Sequence, residues 1–355
     1  MRLRDRFRRW LRFPARVQTR AAHAKRGRVD HVVILDGTLS SLRPGQETNA
    51  GLAYRLLCEV ARSRPVSLRY EQGVQWRSWR DLIAVAEGRG INEQIRRAYG
   101  FIASRYRPGD RIFLLGYSRG AYAVRSLAGA IGRLGLLRPE CATERNIRQL
   151  YRHYQRDPDS PSARRFSARN CHEGKVEIEM VGVWDTVKAL GIRLPILWRG
   201  TPDRHAFHDT RLGDHIRHGF HALALNETRL AYAPVLWTSR PGWNGVLEQV
   251  WFRGVHADIG GQIEGYSAAR PLSNIPFVWM MDKLEGCGLP LPEGWRDRFR
   301  QDVNAPSVGS FSGWGVLFVM RARRTIGADP SESIHPSVPD AMRIVHAPAP
   351  RTAPR

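Results

Sequence analysis

The segment Arg111 to Leu137 reads RIFLLGYSRGAYAVRSLAGAIGRLGLL, and its pattern changes at the central glycines. Residues Ile112 to Leu115 form a continuous apolar run, which is typical of a strand that is buried on both faces of a parallel sheet. Residues Ala121 to Ala130 are rich in alanine, the residue with the highest helix propensity. The sequence therefore predicts a strand, a sharp glycine turn and a helix, in that order.

The turn carries the motif Gly116-Tyr117-Ser118-Arg119-Gly120. GxSxG alone is a weak signal, and an ordinary glycine turn is the alternative interpretation. Between a strand and a helix the motif is more specific, because a strained turn exposes the serine and glycines allow the backbone to pass close beneath it. We predict Ser118 as a nucleophile. Gly116 and Gly120 are the predicted glycines of the nucleophile elbow, the sharp turn between the strand and the helix. The Arg119 backbone N–H, at the positive end of the helix, is the expected first oxyanion donor.

A serine hydroxyl is a poor nucleophile without a base, and the base needs an acid that orients it. On a turn of this kind the acid follows the serine in the chain, and the histidine follows the acid. Asp185 stands at the end of the apolar segment VEIEMVGVW. His256 comes later, in a glycine-flanked segment that we expect to be a loop after the strand VWF. We predict that Ser118, Asp185 and His256 act together.

Two other residues compete for these roles. His221 also follows Asp185, but it lies in residues 215–230, which we interpret as a helix. A histidine on a helix is more often packed than catalytic. Asp258 lies two residues after His256 and is the alternative acid, or else a residue that orients the loop.

The first apolar run, residues 32–35, is predicted to be a buried strand that ends at Asp36-Gly37-Thr38. The Gly37 or Thr38 N–H could supply a second oxyanion donor, and a tight turn capped by Asp36 is an equally good alternative. Asp36 and Asp258 are also candidates for binding a cation, but their spacing fits no defined metal loop. No metal site is therefore predicted.

Apolar strands alternate with helical segments along the chain. Residues 91–106 and PLSNIPFVWMMDKLEGCGL read as helices, the second beginning at Ser273 or Asn274 and ending at Gly286. The alternation predicts the α/β class, with a mostly parallel sheet and helices on both faces. Residues 190–215 are irregular, and a lid or an insertion near the site is one interpretation.

The chain ends differ in composition from residues 29–343, which we take as one domain. The net charge is +23, and residues 1–28 form an arginine-rich arm in which apolar residues recur at helical spacing. Such an arm is typical of either a disordered tail or a basic amphipathic helix on an anionic membrane. Nucleic-acid binding is disfavoured because aromatic residues do not alternate with the basic ones. Residues 344–355, rich in proline and alanine, predict a disordered tail.

Other classes are excluded by what the sequence lacks. No run of eighteen apolar residues predicts a membrane-spanning helix, and no apolar stretch follows the basic N-terminus as in a secretory signal. The four cysteines are far apart and form no CxxC pair, which favours free thiols in a reducing compartment. We therefore expect a cytoplasmic protein.

Taken in order, these segments resemble the α/β-hydrolase domain family typified by type VI secretion phospholipase effectors, the Tle-like catalytic domains. The resemblance covers about residues 30–343. It is carried by DGT at 36–38, Thr48-Asn49, Gly88-Arg89-Gly90, AYGFIASRYRPGDRIFLLGYSRGAYAVRSLAG at 98–129, GVWDTVKALG at 182–191, HALALNETR at 221–229, WFRGVHADIGG at 251–261 and IHPSV at 334–338.

The resemblance implies an α/β-hydrolase-like fold and a Ser–Asp–His triad on Ser118, Asp185 and His256. It implies hydrolysis of carboxylic esters, in some members the acyl esters of phospholipids, with no metal or organic cofactor. Secretion as an effector and a membrane-lipid or housekeeping role in the producing cell are both compatible with the resemblance, and no obligate protein partner follows. The chain departs from the family pattern in Leu39-Ser40, in the glycine run interrupted at Gln262 and in Asn226, which bear on the oxyanion loop and the substrate pocket.

Overall fold

The structure, a computed structural model, describes residues 26–73, 89–187, 211–310 and 320–345. Within these ranges seven strands form one sheet in the order β2-β1-β3-β4-β5-β6-β7, and every neighbouring pair is parallel. The predicted α/β class is confirmed. The strands are β1 (Asp30–Leu35), β2 (Val66–Glu71), β3 (Arg111–Tyr117), β4 (Ile178–Trp184), β5 (Ile216–Ala224), β6 (Val246–Phe252) and β7 (Glu332–Ile334).

Helices connect these strands. In the same ranges they are α1 (Asn49–Val60), α2 (Arg89–Ala103), α3 (Arg119–Leu134), α4 (Glu144–Arg156), α5 (Pro161–Asn170), α6 (His256–Gly260), α7 (Arg270–Gly286) and α8 (Asp340–Val345). Single 3-10 turns lie at Pro139–Cys141, Leu230–Tyr232, Ser267–Ala269 and Trp295–Arg298. No helix in the described part of the chain is long and apolar enough to cross a membrane.

The sheet has a hydrophobic core on each face. Alternate residues of a strand point to opposite faces, so Val33 of β1 enters one core and Val32 enters the other. Helices α2 and α3 cover the first face, and α1 and α7 cover the second. Burial on both faces explains why the strands read as continuous apolar runs.

Three predicted elements differ from the structure. Residues 216–224 form strand β5 and not a helix, because they lie hydrogen-bonded between β4 and β6. Helix α7 begins at Arg270 and not at Ser273 or Asn274. Pro271 fits the first turn because proline lacks a backbone N–H, and the N–H groups of a first turn have no acceptor within the helix. His256 begins the short helix α6 and does not lie in a loop.

Some predictions fall outside the described residues. These are the arginine-rich arm predicted over 1–28, of which only 26–28 are described, the irregular stretch predicted over 190–215, of which only 211–215 are described, and most of the tail predicted over 344–355.

The topology collects the candidate residues at one edge. Asp36 follows β1, Ser118 follows β3, Asp185 follows β4, and His256 lies just after β6. Because all these strands are parallel, their carboxyl ends meet at the same edge of the sheet, where open α/β sheets build their sites.

Candidate active site

Ser118 lies on a strained turn between β3 and α3. Its φ is 57° and its ψ is −119°, a conformation that non-glycine residues rarely adopt. The Ser118 N–H donates to Trp184 O at 3.0 Å, and the Tyr122 N–H donates to Ser118 O at 3.2 Å, so both sides of the turn are anchored.

The two glycines of the motif allow the turn to pack closely. A Cβ at Gly120 would lie 2.0 Å from the carbonyl oxygen of Leu35, and a Cβ at Gly116 would lie 2.7 Å from the Cα of Ala121. Any side chain at either position would therefore push α3 away from the sheet.

His256 joins Ser118 to Asp185. Its Nε2 lies 2.9 Å from Ser118 Oγ, and its Nδ1 lies 2.6 Å from Asp185 Oδ2. All three residues are buried, with exposed fractions of 8 % for Ser118, 4 % for His256 and 0 % for Asp185. A carboxylate can only accept, so the partners assign the ring proton to Nδ1 and leave Nε2 to accept from the serine hydroxyl. The structure thus brings together the three residues that the chain order selects.

Asp185 also sits on a turn with positive φ, at 38°. Its N–H donates to Ala222 O at 2.8 Å, and its Oδ1 accepts from the Ala224 N–H at 3.0 Å. The strand β5 therefore holds both the backbone and the carboxylate of this residue.

Arg324 donates to both oxygens of Asp185, at 2.6 Å to Oδ1 and 2.9 Å to Oδ2. Two carbonyl oxygens, of Ala224 and Tyr232, accept its remaining hydrogen bonds at 2.9 and 2.6 Å. Burial alone would raise the pKa of Asp185, but the charges and hydrogen bonds of Arg324 and His256 outweigh it and hold this pKa well below its usual range. Sequence reasoning missed Arg324, since nothing distinguishes it within the cluster RARR.

His221 has a different place from the one that the sequence suggested. It is a fully buried residue of β5, its Nε2 accepts from the Thr186 N–H at 3.1 Å, and its Nδ1 faces Gln249 Oε1 at 3.4 Å. Burial, reinforced by the nearby charge of Arg125, lowers the pKa of His221 to about 3. This neutral ring supports the backbone next to Asp185, and no hydrogen bond joins it to Ser118 in the described ranges.

Asp36 caps the turn that follows β1. Its Oδ1 accepts from the Gly37 N–H at 2.7 Å, and its Oδ2 accepts from Thr48 Oγ1 and Tyr70 OH, both at 2.6 Å. Burial raises the pKa of Asp36 to about 6 although these hydrogen bonds oppose it. The structure thus has the Asp-capped turn, with the Gly37 N–H already engaged, and Thr38 is the remaining candidate of the pair for an oxyanion donor.

Asp258 does not contact the His256 ring. Its carboxylate accepts from the backbone N–H groups of Val255 and Val308, at 2.8 and 2.9 Å, and from Ser307 Oγ. These contacts hold the segment around His256, and no hydrogen bond to the imidazole is present for the acid role. Among the described residues, no group of three or more His, Cys, Asp or Glu side chains could hold a metal ion.

A second ion pair supports His256 and was also missed. Glu227 accepts from the His256 N–H at 3.2 Å and pairs with Arg229 at 2.6 Å. Arg229 lies 4.0 Å over the ring of Tyr232, and the rings of Tyr232 and Tyr117 lie 4.7 and 5.0 Å from the His256 ring. Glu227 and Arg229 were visible in HALALNETR as charges directly after a strand, once that segment is recognised as β5.

Comparison with known proteins gives the following relatives. The chain is 29 % identical over 161 residues to the uncharacterized protein YEL023C of Saccharomyces cerevisiae, a match that covers 42 % of this chain and 22 % of the yeast protein. It therefore spans about a fifth of that relative's length.

Two solved structures share low identity. One, described as the crystal structure of an uncharacterized protein from Pseudomonas aeruginosa, is 18 % identical with a TM-score of 0.45, over 77 % of this chain and 49 % of the other. The second, the Tle1 effector bound to the VgrG spike from the type 6 secretion system, is 19 % identical with a TM-score of 0.26, over 66 % and 51 %.

A family model matches residues 30–283, which include β1 through most of α7 and all three residues of the hydrogen-bonded chain. Its description is T6SS phospholipase effector Tle1-like, catalytic domain. The chain therefore belongs to the family of Tle1-like type VI secretion phospholipase effectors, through their catalytic domain.

Proposed function

We propose that this protein is a serine hydrolase that cleaves carboxylic esters, with lipid or phospholipid acyl esters as its substrates. The observation that carries the proposal is the hydrogen-bonded chain from Asp185 through His256 to Ser118, with steps of 2.6 and 2.9 Å. Membership of a phospholipase family supports the lipid ester as substrate class.

In the acylation step, Ser118 Oγ attacks the ester carbonyl carbon while its proton passes to His256 Nε2. Asp185 holds the imidazole orientation and stabilises the imidazolium that forms. The backbone N–H groups of Arg119 and Thr38 are the proposed donors to the oxyanion of the tetrahedral intermediate. When the intermediate collapses, His256 gives the proton to the leaving alcohol and the acyl group stays on Ser118.

Deacylation repeats these steps with water. His256 takes a proton from the attacking water, the oxyanion forms again, and the proton returns to Ser118 Oγ as the carboxylic acid leaves. All the groups that this cycle requires are side chains and backbone amides of the chain itself.

Location and partners are proposals of the same kind. We propose that the basic residues 1–28 bring the enzyme to an anionic membrane surface, as the charge of this arm suggests. Secretion as an effector is consistent with the family.

The test measures hydrolysis of short p-nitrophenyl esters and of anionic phospholipid vesicles by the wild type, by Ser118→Ala and by Ser162→Ala. Ser162 is an exposed serine of α5 and serves as the matched control. We expect Ser118→Ala to lose about 10⁴- to 10⁶-fold in rate on both substrates and the control to lose nothing.

If Ser118→Ala loses activity on the short esters alone, the nucleophile is supported but the substrate is a soluble ester and not a lipid. Equal background rates for all three proteins would contradict the proposal and favour the alternative function, a membrane-associated binding protein with little turnover.

A further inference from the structure

Arg119 differs from the other arginines around the site in that it has no partner among the residues that the structure describes. Arg324 is bound by Asp185, Arg229 by Glu227, and Arg125 by the carbonyl oxygens of Val235 and Leu236. The Arg119 guanidinium, in contrast, makes no hydrogen bond or ion pair with any residue in the described ranges.

This cation is adjacent to the reacting group. Arg119 is the first residue of α3 and directly follows Ser118. Its charge acts on the hydroxyl of Tyr232, whose ring lies 4.7 Å from the His256 ring. Arg119 therefore adjoins the nucleophile in the chain, and the group on which its charge acts adjoins the His256 ring.

Arg119 is also partly removed from water. Burial lowers the pKa of Arg119 to about 10, with Tyr232 as the opposing group, so the side chain keeps its charge at neutral pH. No carboxylate of the described part of the chain pairs with Arg119 to compensate for this burial. An unpaired and partly desolvated cation is costly, and the cost is relieved when an anion binds to it.

We infer that the Arg119 side chain binds the phosphodiester of a glycerophospholipid while Ser118 attacks the acyl ester of the same molecule. This inference rests on the proposed ester hydrolysis and adds the group that selects the substrate. A guanidinium can donate two parallel hydrogen bonds to phosphate oxygens, a geometry that suits it to phosphate recognition. The phosphodiester and the acyl esters share one glycerol unit, so adjacent residues can contact both groups.

The test compares two substrates with the same acyl chains, dihexanoylphosphatidylglycerol and dihexanoylglycerol, in detergent micelles. The readout is the ratio of kcat/KM for the phospholipid to that for the neutral diacylglycerol. Because it is a ratio, it does not depend on the fraction of each variant that folds. The proteins are the wild type, Arg119→Gln, Arg119→Lys and the control Arg217→Gln, which removes an exposed arginine paired with Glu177.

We expect Arg119→Gln to lower this ratio by roughly 10- to 100-fold, mainly through KM, because it removes hydrogen bonds to a charged group. Arg119→Lys keeps the charge without the paired donors, so its ratio is expected to lie between those of the wild type and Arg119→Gln. Arg217→Gln is expected to leave the ratio unchanged. A ratio for Arg119→Gln within twofold of the wild type would overturn the inference, whatever the absolute rates.

A binding measurement separates this inference from the proposed function. Ser118→Ala and the double variant Ser118→Ala/Arg119→Gln are titrated with dihexanoylphosphatidylglycerol, without turnover. Weaker binding by the double variant supports the role of Arg119 even if the wild type hydrolyses neither substrate, a result that would contradict the proposed function alone. Equal binding by the two proteins would overturn the role of Arg119.

Discussion

The two ends of the hydrogen-bonded chain are built differently. At the acid end, Asp185 is fully buried, and its carboxylate accepts from His256, Ala224 and Arg324. At the nucleophile end, Ser118 Oγ has its hydrogen bond to His256, and the guanidinium of the next residue in the chain, Arg119, has no partner in the described ranges.

The difference indicates a division of roles. The acid end has no hydrogen-bonding capacity left, so it holds one geometry before any substrate arrives, as electrostatic preorganisation requires. The nucleophile end keeps capacity for atoms that the substrate brings. Changes at the acid end should therefore lower catalysis and stability together, whereas changes at Arg119 should alter substrate preference.

The largest effect at the acid end is expected for Asp185→Asn. The amide cannot orient His256 or stabilise its imidazolium, so we expect kcat on p-nitrophenyl esters to fall about 10⁴-fold. Asp282→Asn, an exposed carboxylate of α7 paired with Arg296, is the control and should retain full activity. A loss of less than tenfold for Asp185→Asn would mean that Asp185 is not the orienting acid.

Arg324→Gln tests the other side of the same carboxylate. It leaves a buried Asp185 without its cationic partner, and breaking a buried pair in this way is expected to cost about 3–5 kcal/mol of unfolding free energy. The measurement is denaturant unfolding, with Arg148→Gln in the exposed pair with Glu144 as the control, for which a change below about 1 kcal/mol is expected. Similar losses for the two variants would show that the acid end is not specially dependent on Arg324.

A smaller effect, dependent on pH, is expected from His221. The folded chain holds its pKa near 3, and the ordinary value is 6.5, so between these values the unfolded chain binds one more proton than the folded chain. The stability from this group is present above pH 6.5 and is lost as the pH falls toward 3, by about 1.4 kcal/mol per unit near pH 5.

His221→Gln removes this proton uptake. Urea unfolding of the wild type and the variant between pH 7 and pH 4.5 measures the difference in slope. We expect a shallower loss of stability for the variant as the pH falls. Parallel curves for the two proteins would show that His221 is not held neutral in the folded state.

Local pattern and chain order were enough to select the three residues that the structure brings within hydrogen-bond distance. The strand, the glycine turn and the helix around Ser118 are contiguous in the chain, so the sequence carries their arrangement directly. The choice of Asp185 and His256 followed from chain order and strand ends. In the structure His256 lies within hydrogen-bond distance of both Ser118 and Asp185.

The supporting residues could not be predicted in the same way. Residues 216–224 carry leucine, alanine and histidine in a pattern that suits a helix locally, and pairing with β4 and β6 decides the strand. Arg324 is 139 residues from Asp185, so their contact depends on the tertiary fold alone. Glu227 and Arg229 were missed because residues 215–230 were interpreted as a helix and not as a strand followed by a loop.

The central claim is that Ser118 is the activated nucleophile, and covalent labelling tests it most directly. The wild type, Ser118→Ala and His256→Gln are treated with a fluorophosphonate, and the site of modification is located by peptide mass spectrometry. The account predicts one label per wild-type chain, on Ser118, with none on Ser118→Ala and strongly slowed labelling of His256→Gln. An unlabelled wild type, or equal labelling of Ser118→Ala, would contradict it.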